Sequence, residues 1–203
     1  MKFVIASNNK HKVEEISRVL QPLSIETIAA KQAGVQFDVE ETGKTFEENA
    51  LIKGLAVSKA CGMPTVADDS GLEVDALGGA PGIYSARYAG VGATNANRID
   101  KLLHELETFP QGMRTARFVC AVCCVFPDGS SVCARGECEG YIGFAPDGEG
   151  GFGYDPVFIE KTTGLSFASL SDKQKDAVSH RGKALRELVL KLREYNIVNY
   201  KKE

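Results

Sequence analysis

The 203-residue chain has no apolar run near the roughly 20 residues that cross a bilayer. Its opening stretch, Met1-Lys2-Phe3-Val4-Ile5-Ala6, is too short for a secretory leader and reads as a first strand. No membrane partner is therefore expected, and the expected location is cytoplasmic. An excess of basic charge is also missing. With 24 Lys and Arg against 27 Asp and Glu, the net charge of -3 argues against a broad nucleic-acid grip. A few lysines converging on one place can still hold a phosphate. Repeats, linkers and low-complexity segments are absent, and the 21 glycines follow no period. Residues 1–203 are read as one domain, with a length that allows two lobes around a cleft.

A disulfide framework is not expected either. Cys120, Cys123 and Cys124 fall in one apolar run, Cys133 and Cys138 in the next, and Cys61 near a helix end. Such placement suits small buried hydrophobes in a reducing compartment. Cys120 and Cys123 have CxxC spacing, but residues three apart on a strand face opposite sides. No partner histidines or knuckle glycine follow, so structural zinc is not expected. No Walker loop is present, and no serine or cysteine lies in an evident nucleophile elbow.

What the chain does contain is an alternation of strand and helix signals. Phe3 to Ala6 reads as a buried strand, and Ser7-Asn8-Asn9 ends it and opens a helix with Val13, Ile16, Val19 and Leu20 inward. Thr45 and Glu48 fit a capping box for a helix running to about Ala60. Thr65 to Ala67 reads as a strand, interrupted by a turn at Asp68-Asp69-Ser70-Gly71, after which Leu72 to Ala76 alternates. Thr94 caps a helix with Ile99, Leu102, Leu103 and Leu106 inward. The segments 117–126 and 131–137, joined by Pro127-Asp128-Gly129-Ser130, form a hairpin whose first arm is apolar enough for burial on both faces. Val157 to Ile159 follows as a strand. Ser171 and Gln174 make a second capping box, heading one long last helix. This order predicts an α/β fold with a mixed sheet.

Four polar islands interrupt the pattern. Ser7-Asn8-Asn9-Lys10-His11-Lys12 joins a strand to a helix start, where backbone N–H groups and a lysine can meet phosphate; a plain cap with a solvated turn reads equally from these residues. Glu48, Asp68 and Asp69 are hard oxygen donors of the kind magnesium takes, or else a cap and a polar turn. Adjacent positions point Asp68 and Asp69 different ways, so that one can bind metal while the other satisfies backbone donors. Gly150 to Pro156 offers Phe152 and Tyr154 for stacking on a base and Asp155 as acceptor, or a tight loop with two buried aromatics. Lys175, Ser179, His180 and Arg181 gather near the last helix.

Taken together, Ser7–Lys12, Thr45-Phe-Glu-Glu-Asn-Ala50, Ala67-Asp-Asp-Ser-Gly-Leu72, the run from Gly79 to Gly90, Gly151–Pro156 and Ser179-His-Arg-Gly182 resemble the inosine triphosphate pyrophosphatase family. The resemblance spans residues 3 to about 192. It implies a two-lobed α/β fold with a central cleft, a long mixed twisted sheet flanked by helices, and a homodimer. It further implies Mg2+-dependent hydrolysis of ITP, dITP and XTP to the monophosphate and pyrophosphate, cleansing the nucleotide pool. Carried over by position, Ser7, Asn8, Asn9, Lys10, His11 and Lys12 form the triphosphate-binding turn, with Lys12 at the family's lysine. Glu48 and Asp69 are the metal ligands, and Asp69 is also the proton acceptor. Ser70, Phe152, Gly153, Tyr154, Asp155, Lys175, His180 and Arg181 contact the substrate, Phe152 stacking on the base and Arg181 near the purine carbonyl edge. The alternatives are a pyrophosphatase for other modified or pyrimidine nucleotides, and a catalytically silent nucleotide-binding protein.

Overall fold

The computed structural model describes residues 2–195. Among these, six strands form one sheet: β1 (Lys2–Ile5), β2 (Glu26–Ala29), β3 (Thr65–Val74), β4 (Thr115–Val125), β5 (Ser131–Ile142) and β6 (Phe158–Glu160), in the order β2-β1-β3-β4-β5-β6. The helices are α1 (Lys10–Leu20), α2 (Phe46–Cys61), α3 (Asn95–Glu105), α4 (Asp172–Val178) and α5 (His180–Glu194). β1 runs parallel to β2, Lys2 opposite Glu26, and parallel to β3, Val4 opposite Thr65. β5 and β6 run antiparallel, Gly140 opposite Glu160. The sheet is thus mixed and the fold α/β, as the element order predicts.

The chain divides into two compact units. One comprises residues through Asp69, Cys120–Gly136 and the chain from His180 onward; the other comprises Ser70–Val119 and Glu137–Ser179. In the first unit the two-residue period of the strands sorts two cores. Phe3 and Ile5 of β1, Val66 of β3 and Cys120, Val122 and Cys124 of β4 join Ile16 and Leu20 of α1 and Leu185, Leu188 and Leu192 of α5. Val4 and Ala67 belong instead to a cluster with Ala30, Val35 and Val57 of α2. Each fully buried leucine here contributes about 2 kcal/mol of hydrophobic stabilisation. In the second unit Leu72 and Val74 of β3 pack with Leu102 and Leu106 around Phe118, Phe158 and Phe167. The centroids of those rings lie 4.7, 4.9 and 5.5 Å apart, within the favourable range for aromatic pairs.

The helix starts follow their caps. Asn9 caps α1, and Thr45 Oγ1 accepts the Glu48 N–H at 3.1 Å to start α2. Glu48 answers one residue earlier than a reciprocal box requires, its carboxylate accepting the Lys44 N–H at 2.6 Å. Ser171 and Gln174 cap α4 reciprocally, as expected. Val119 to Val125 are fully buried, so the first hairpin arm is covered on both faces.

Three expectations are corrected. Asp68 to Gly71 is no turn; β3 passes through it without a break. Its polar residues mimic a loop locally, but side chains distant in sequence pair with Oδ2 of Asp68 and with both oxygens of Asp69, while Asp68 Oδ1 is buried without a hydrogen-bond partner among the described residues. The long last helix is two helices, because Ser179 is extended (φ -67°, ψ 155°) between α4 and α5. Ser179 therefore does not share a helical face with Lys175, though its N–H still reaches the Lys175 carbonyl at 2.8 Å. Lastly, Cys123 and Cys133 form a disulfide across the hairpin, while Cys61, Cys120, Cys124 and Cys138 remain thiols. Hairpin register sets this pairing, and spacing along the chain does not reveal it. Thiol titration of unfolded, unreduced protein should find the four free cysteines, with the remaining two appearing only after reduction. Cys133→Ser should lower the urea-derived stability of the oxidised protein by about 2–3 kcal/mol and leave that of the reduced protein nearly unchanged.

Candidate active site

The turn between β1 and α1 uses its polar side chains to hold itself. Ser7 Oγ accepts the Asn9 N–H at 3.2 Å, and Asn9 Oδ1 accepts the N–H groups of His11 (3.0 Å) and Lys12 (3.3 Å). Asn8 donates to the Phe37 carbonyl at 3.0 Å. Two of the amides expected to face a phosphate are thus already taken by the cap. Lys10 is exposed and pairs with Glu14 at 3.6 Å, and His11 is exposed beside it. Lys12 differs. Its ammonium turns toward β3 and lies 3.0 Å from Asp68 Oδ2.

Asp68 is 2% exposed and gathers cations from two helices. Arg181 at the start of α5 donates to the same oxygen through Nε (3.2 Å) and Nη2 (3.1 Å), and through Nη1 to Glu15 of α1. Burial pushes the Asp68 carboxyl upward, but Lys12, Arg181 and Lys53 outweigh it and hold the group well below the usual carboxylate range. Burial likewise works against the Arg181 charge, and Asp68 and Glu15 overcome it, so its pKa is raised.

Asp69 faces the other way. Its Oδ1 accepts from Lys53 at 3.1 Å and its Oδ2 from the Asn49 carboxamide at 3.2 Å, both on α2. Lys53 also donates to Glu41 at 2.8 Å, so one ammonium bridges two carboxylates. Desolvation raises the Asp69 pKa, and the nearby Lys53 and Lys12 only partly offset this. For Lys53 desolvation acts downward, but Asp69, Asp68 and Glu41 prevail and its pKa is raised. Glu48 is exposed, its carboxylate occupied with the Lys44 N–H.

The second unit holds another polar group. Asp155, 3% exposed, accepts from Lys175 at 2.6 Å and from the Phe152 N–H at 2.7 Å. The Lys175 ammonium lies 4.9 Å from the centroid of the half-buried Phe152 ring. Gly151 is left-handed (φ +71°), and a Cβ there would come within 2.2 Å of Asp155 Oδ2, so only glycine lets this loop close over the carboxylate. Tyr154 is buried, its hydroxyl donating to the Ser85 carbonyl at 3.0 Å, which makes it a strut rather than an open stacking surface. Gly153 is half-buried next to it, as is Ser70 on β3. His180 is buried at the head of α5 in the first unit.

The structure therefore brings Lys12 and Arg181 together around Asp68 on one side of β3, sets Asp69 in a separate cluster on the side packed by α2, and gathers Phe152, Asp155 and Lys175 into one group of the second unit. Glu15 completes the first cluster, and Glu41, Lys53 and Asn49 the second, without having been singled out by sequence. One signal could have found two of them: Asn49 and Lys53 are four apart, on the same α2 stripe as the buried Phe46, Ala50 and Val57. Polar residues on a core-facing stripe need partners.

Asp68→Asn should cost about 3–5 kcal/mol, since it removes the carboxylate that Lys12 and Arg181 share and leaves the buried Arg181 with Glu15 alone. The sign with pH follows from the depressed folded-state pKa. The contribution of Asp68 is full above the ordinary value of 3.8 and is lost as pH falls below it. Urea unfolding should thus show the stability gap between wild type and variant narrowing from about pH 6 to about pH 3.

Comparison with known proteins agrees in sequence and in fold. Residues 3–191 match a family model described as the Ham1 family. The dITP/XTP pyrophosphatase of Haemophilus influenzae is 49% identical over 193 residues, covering 94% of this chain and 98% of that protein. The dITP/XTP pyrophosphatase of Nitratidesulfovibrio vulgaris is 48% identical over 192 residues, covering 92% and 93%. The structure of a HAM1 protein from Coxiella burnetii superposes with a TM-score of 0.85 at 41% identity, covering 96% of this chain and 99% of that one. Matched over residues 3–191 by the family model and over more than nine-tenths of its length by these relatives, the chain belongs to the Ham1 family.

Proposed function

We propose that this chain is a nucleoside triphosphate pyrophosphatase that hydrolyses dITP, ITP and XTP to the monophosphate and pyrophosphate. The observation that carries the reading is Asp69: a buried carboxylate of raised proton affinity, held beside Glu41 and Lys53 and next in sequence to the Asp68–Lys12 pair. Relatives named dITP/XTP pyrophosphatase, alike over nine-tenths of the chain, support the substrate class.

Magnesium binds through one or two carboxylates and completes its shell with substrate phosphates and water. Glu41 and Asp69 fit this, because both already share the positive charge of Lys53 at 2.8 and 3.1 Å. Among the described residues no group of three or more His, Cys, Asp or Glu is arranged to hold a metal. Asp69 with Glu41 would hold the ion, and Glu48, the ligand implied by family resemblance, is the competing partner. When bound, the ion polarises the phosphates and stabilises the charge of a leaving pyrophosphate.

The protein's own groups supply the rest. Asp69 accepts a proton from water attacking the α-phosphorus, a task favoured by the upward shift that burial gives its pKa. Lys12 offsets phosphate charge from the turn at Ser7 to Lys12, where Lys10 and His11 add exposed donors and Asn8 and Asn9 hold the backbone. In the second unit Phe152 offers a ring face to a base, with Gly153, Tyr154, Asp155 and Lys175 fixing that wall and Ser70 lying on β3. His180 and Arg181 act at the base edge, Arg181 donating to the 6-keto oxygen that hypoxanthine and xanthine carry and adenine lacks. A homodimer acting in the cytoplasm, where nucleotide pools are made, completes the proposal.

Asp69→Asn should reduce pyrophosphate release from dITP by at least about 100-fold with the fold intact, and near-normal turnover would remove Asp69 as base and ligand. Glu41→Gln and Glu48→Gln, compared for the magnesium concentration that gives half activity, identify which carboxylate shares the ion. Arg181→Ala distinguishes two roles. A collapse of the ITP-over-ATP ratio in kcat/KM marks a base-edge donor, whereas an unchanged ratio in a less stable protein marks an anchor for Asp68 and Glu15.

A further inference from the structure

Asn49 is fully buried on α2, and none of the roles above uses it. Its carboxamide spans two parts of the first unit. Oδ1 accepts the Gly43 N–H at 2.8 Å, and Nδ2 donates to Asp69 Oδ2 at 3.2 Å. The orientation of the amide is not arbitrary. A backbone N–H can only donate, so the oxygen must face Gly43 and the nitrogen must face Asp69.

The segment leading into α2 has no strand or helix from Val35 to Lys44, so side chains fix its place. Glu41 is tied to Lys53, and two residues on, Gly43 lies flat against the first turn of α2. A Cβ at Gly43 would come within 2.6 Å of Asn49 Oδ1 and 2.7 Å of Glu48 Cβ. The absence of a side chain is what allows the bond to Asn49. The same carboxamide thus seats the stretch that delivers Glu41 and turns the Asp69 carboxylate, leaving Oδ1 to Lys53.

We propose that Asn49 is a positioning residue for the reaction. It fixes the rotation of the Asp69 carboxylate and couples that rotation to the seat of the Glu41 segment, so that base and acidic partner are set together before substrate arrives. This rests on the reading of Asp69 as proton acceptor given above. A carboxylate without this second bond can turn about its Cβ–Cγ axis around the Lys53 contact, and misorientation lowers turnover more than substrate affinity.

The shape-conserving variant Asn49→Asp separates the two halves of the role. One of its oxygens can still accept the Gly43 N–H, but the other, when ionised, has no hydrogen to give Asp69. Turnover is therefore read across a pH profile, in which a proton shared by the two carboxylates would restore the bond only at the acid end. The full-length protein would be assayed for pyrophosphate release from dITP, with hydrogen–deuterium exchange reporting on the Gly43 amide. Asn49→Asp should keep the Gly43 amide protected while kcat falls about 10- to 100-fold and KM stays within about threefold. Turnover within about twofold of wild type would overturn the proposal and leave Asn49 as a seat for Gly43 alone. Asn49→Ala should lose both the protection and the turnover. If Asn49→Asp fails to fold, the Asn49→Ala/Asp69→Asn double variant decides: no slower than Asp69→Asn alone supports the coupling, and a further loss equal to that of Asn49→Ala overturns it. Asp69→Asn on its own is the control for the underlying reading; were it near-normal, that reading would fail whatever Asn49 does.

Discussion

A single carboxylate oxygen, Asp68 Oδ2, receives Lys12 from α1 and Arg181 from α5. An uncompensated charge in the buried first half of β3 would be expensive, and each of the three groups is tolerable there only because of the other two. The triad ties the first helix, the third strand and the last helix at one point. It also places Lys12, the residue best suited to phosphate, at the inner end of its turn while Lys10 and His11 remain in solvent. Glu15 adds a second anion to Arg181, so the guanidinium is bracketed by carboxylates.

Against that fixed triad, Asp69 occupies a less balanced setting. It has one ammonium to share with Glu41, and desolvation leaves it with a higher affinity for protons than an ordinary aspartate. Two neighbouring aspartates of the same type therefore have opposite tendencies, one kept ionised by an excess of cations and the other poised to take a proton. Burial is similar for both, so the difference lies in partner count and in which helix supplies the partners. The Cys120 thiol nearby, pushed up to about 12 by burial, stays protonated and gives no nucleophile to compete with water.

Much of the scaffold was legible in short windows. The first strand and its helix, the hairpin and the capped starts of α2, α3 and α4 all follow from periodicity and cap chemistry, which act within a few residues. What escaped depends on partners far along the chain. Asp68-Asp69-Ser70-Gly71 looks like a turn until Lys12 and Arg181, more than fifty residues away on either side, are seen to neutralise it. Ser179 interrupts what the apolar stripe presents as one helix. The Cys123–Cys133 bond depends on strand register. Of the residues in the charged clusters, Lys12, Asp69, Phe152, Asp155, Lys175 and Arg181 are ones that family resemblance also points to. Glu41 and Lys53 are not, because a glutamate in an irregular segment and a lysine on a helix are ordinary until a shared bond joins them.

The period of two along β3 has a consequence for how the gene can vary. Val66 and Asp68 belong to the side packed by α1 and α5, and Ala67 and Asp69 to the side packed by α2. Loss or gain of one codon in the first half of this strand would exchange the two aspartates between faces, offering each to the other's cations and turning Val66 and Ala67 out of their cores. Substitutions here can be graded in severity, but frame-preserving indels cannot. Length polymorphism among natural homologues should accordingly collect in the hairpin tip and in surface loops, and be missing between Thr65 and Gly71.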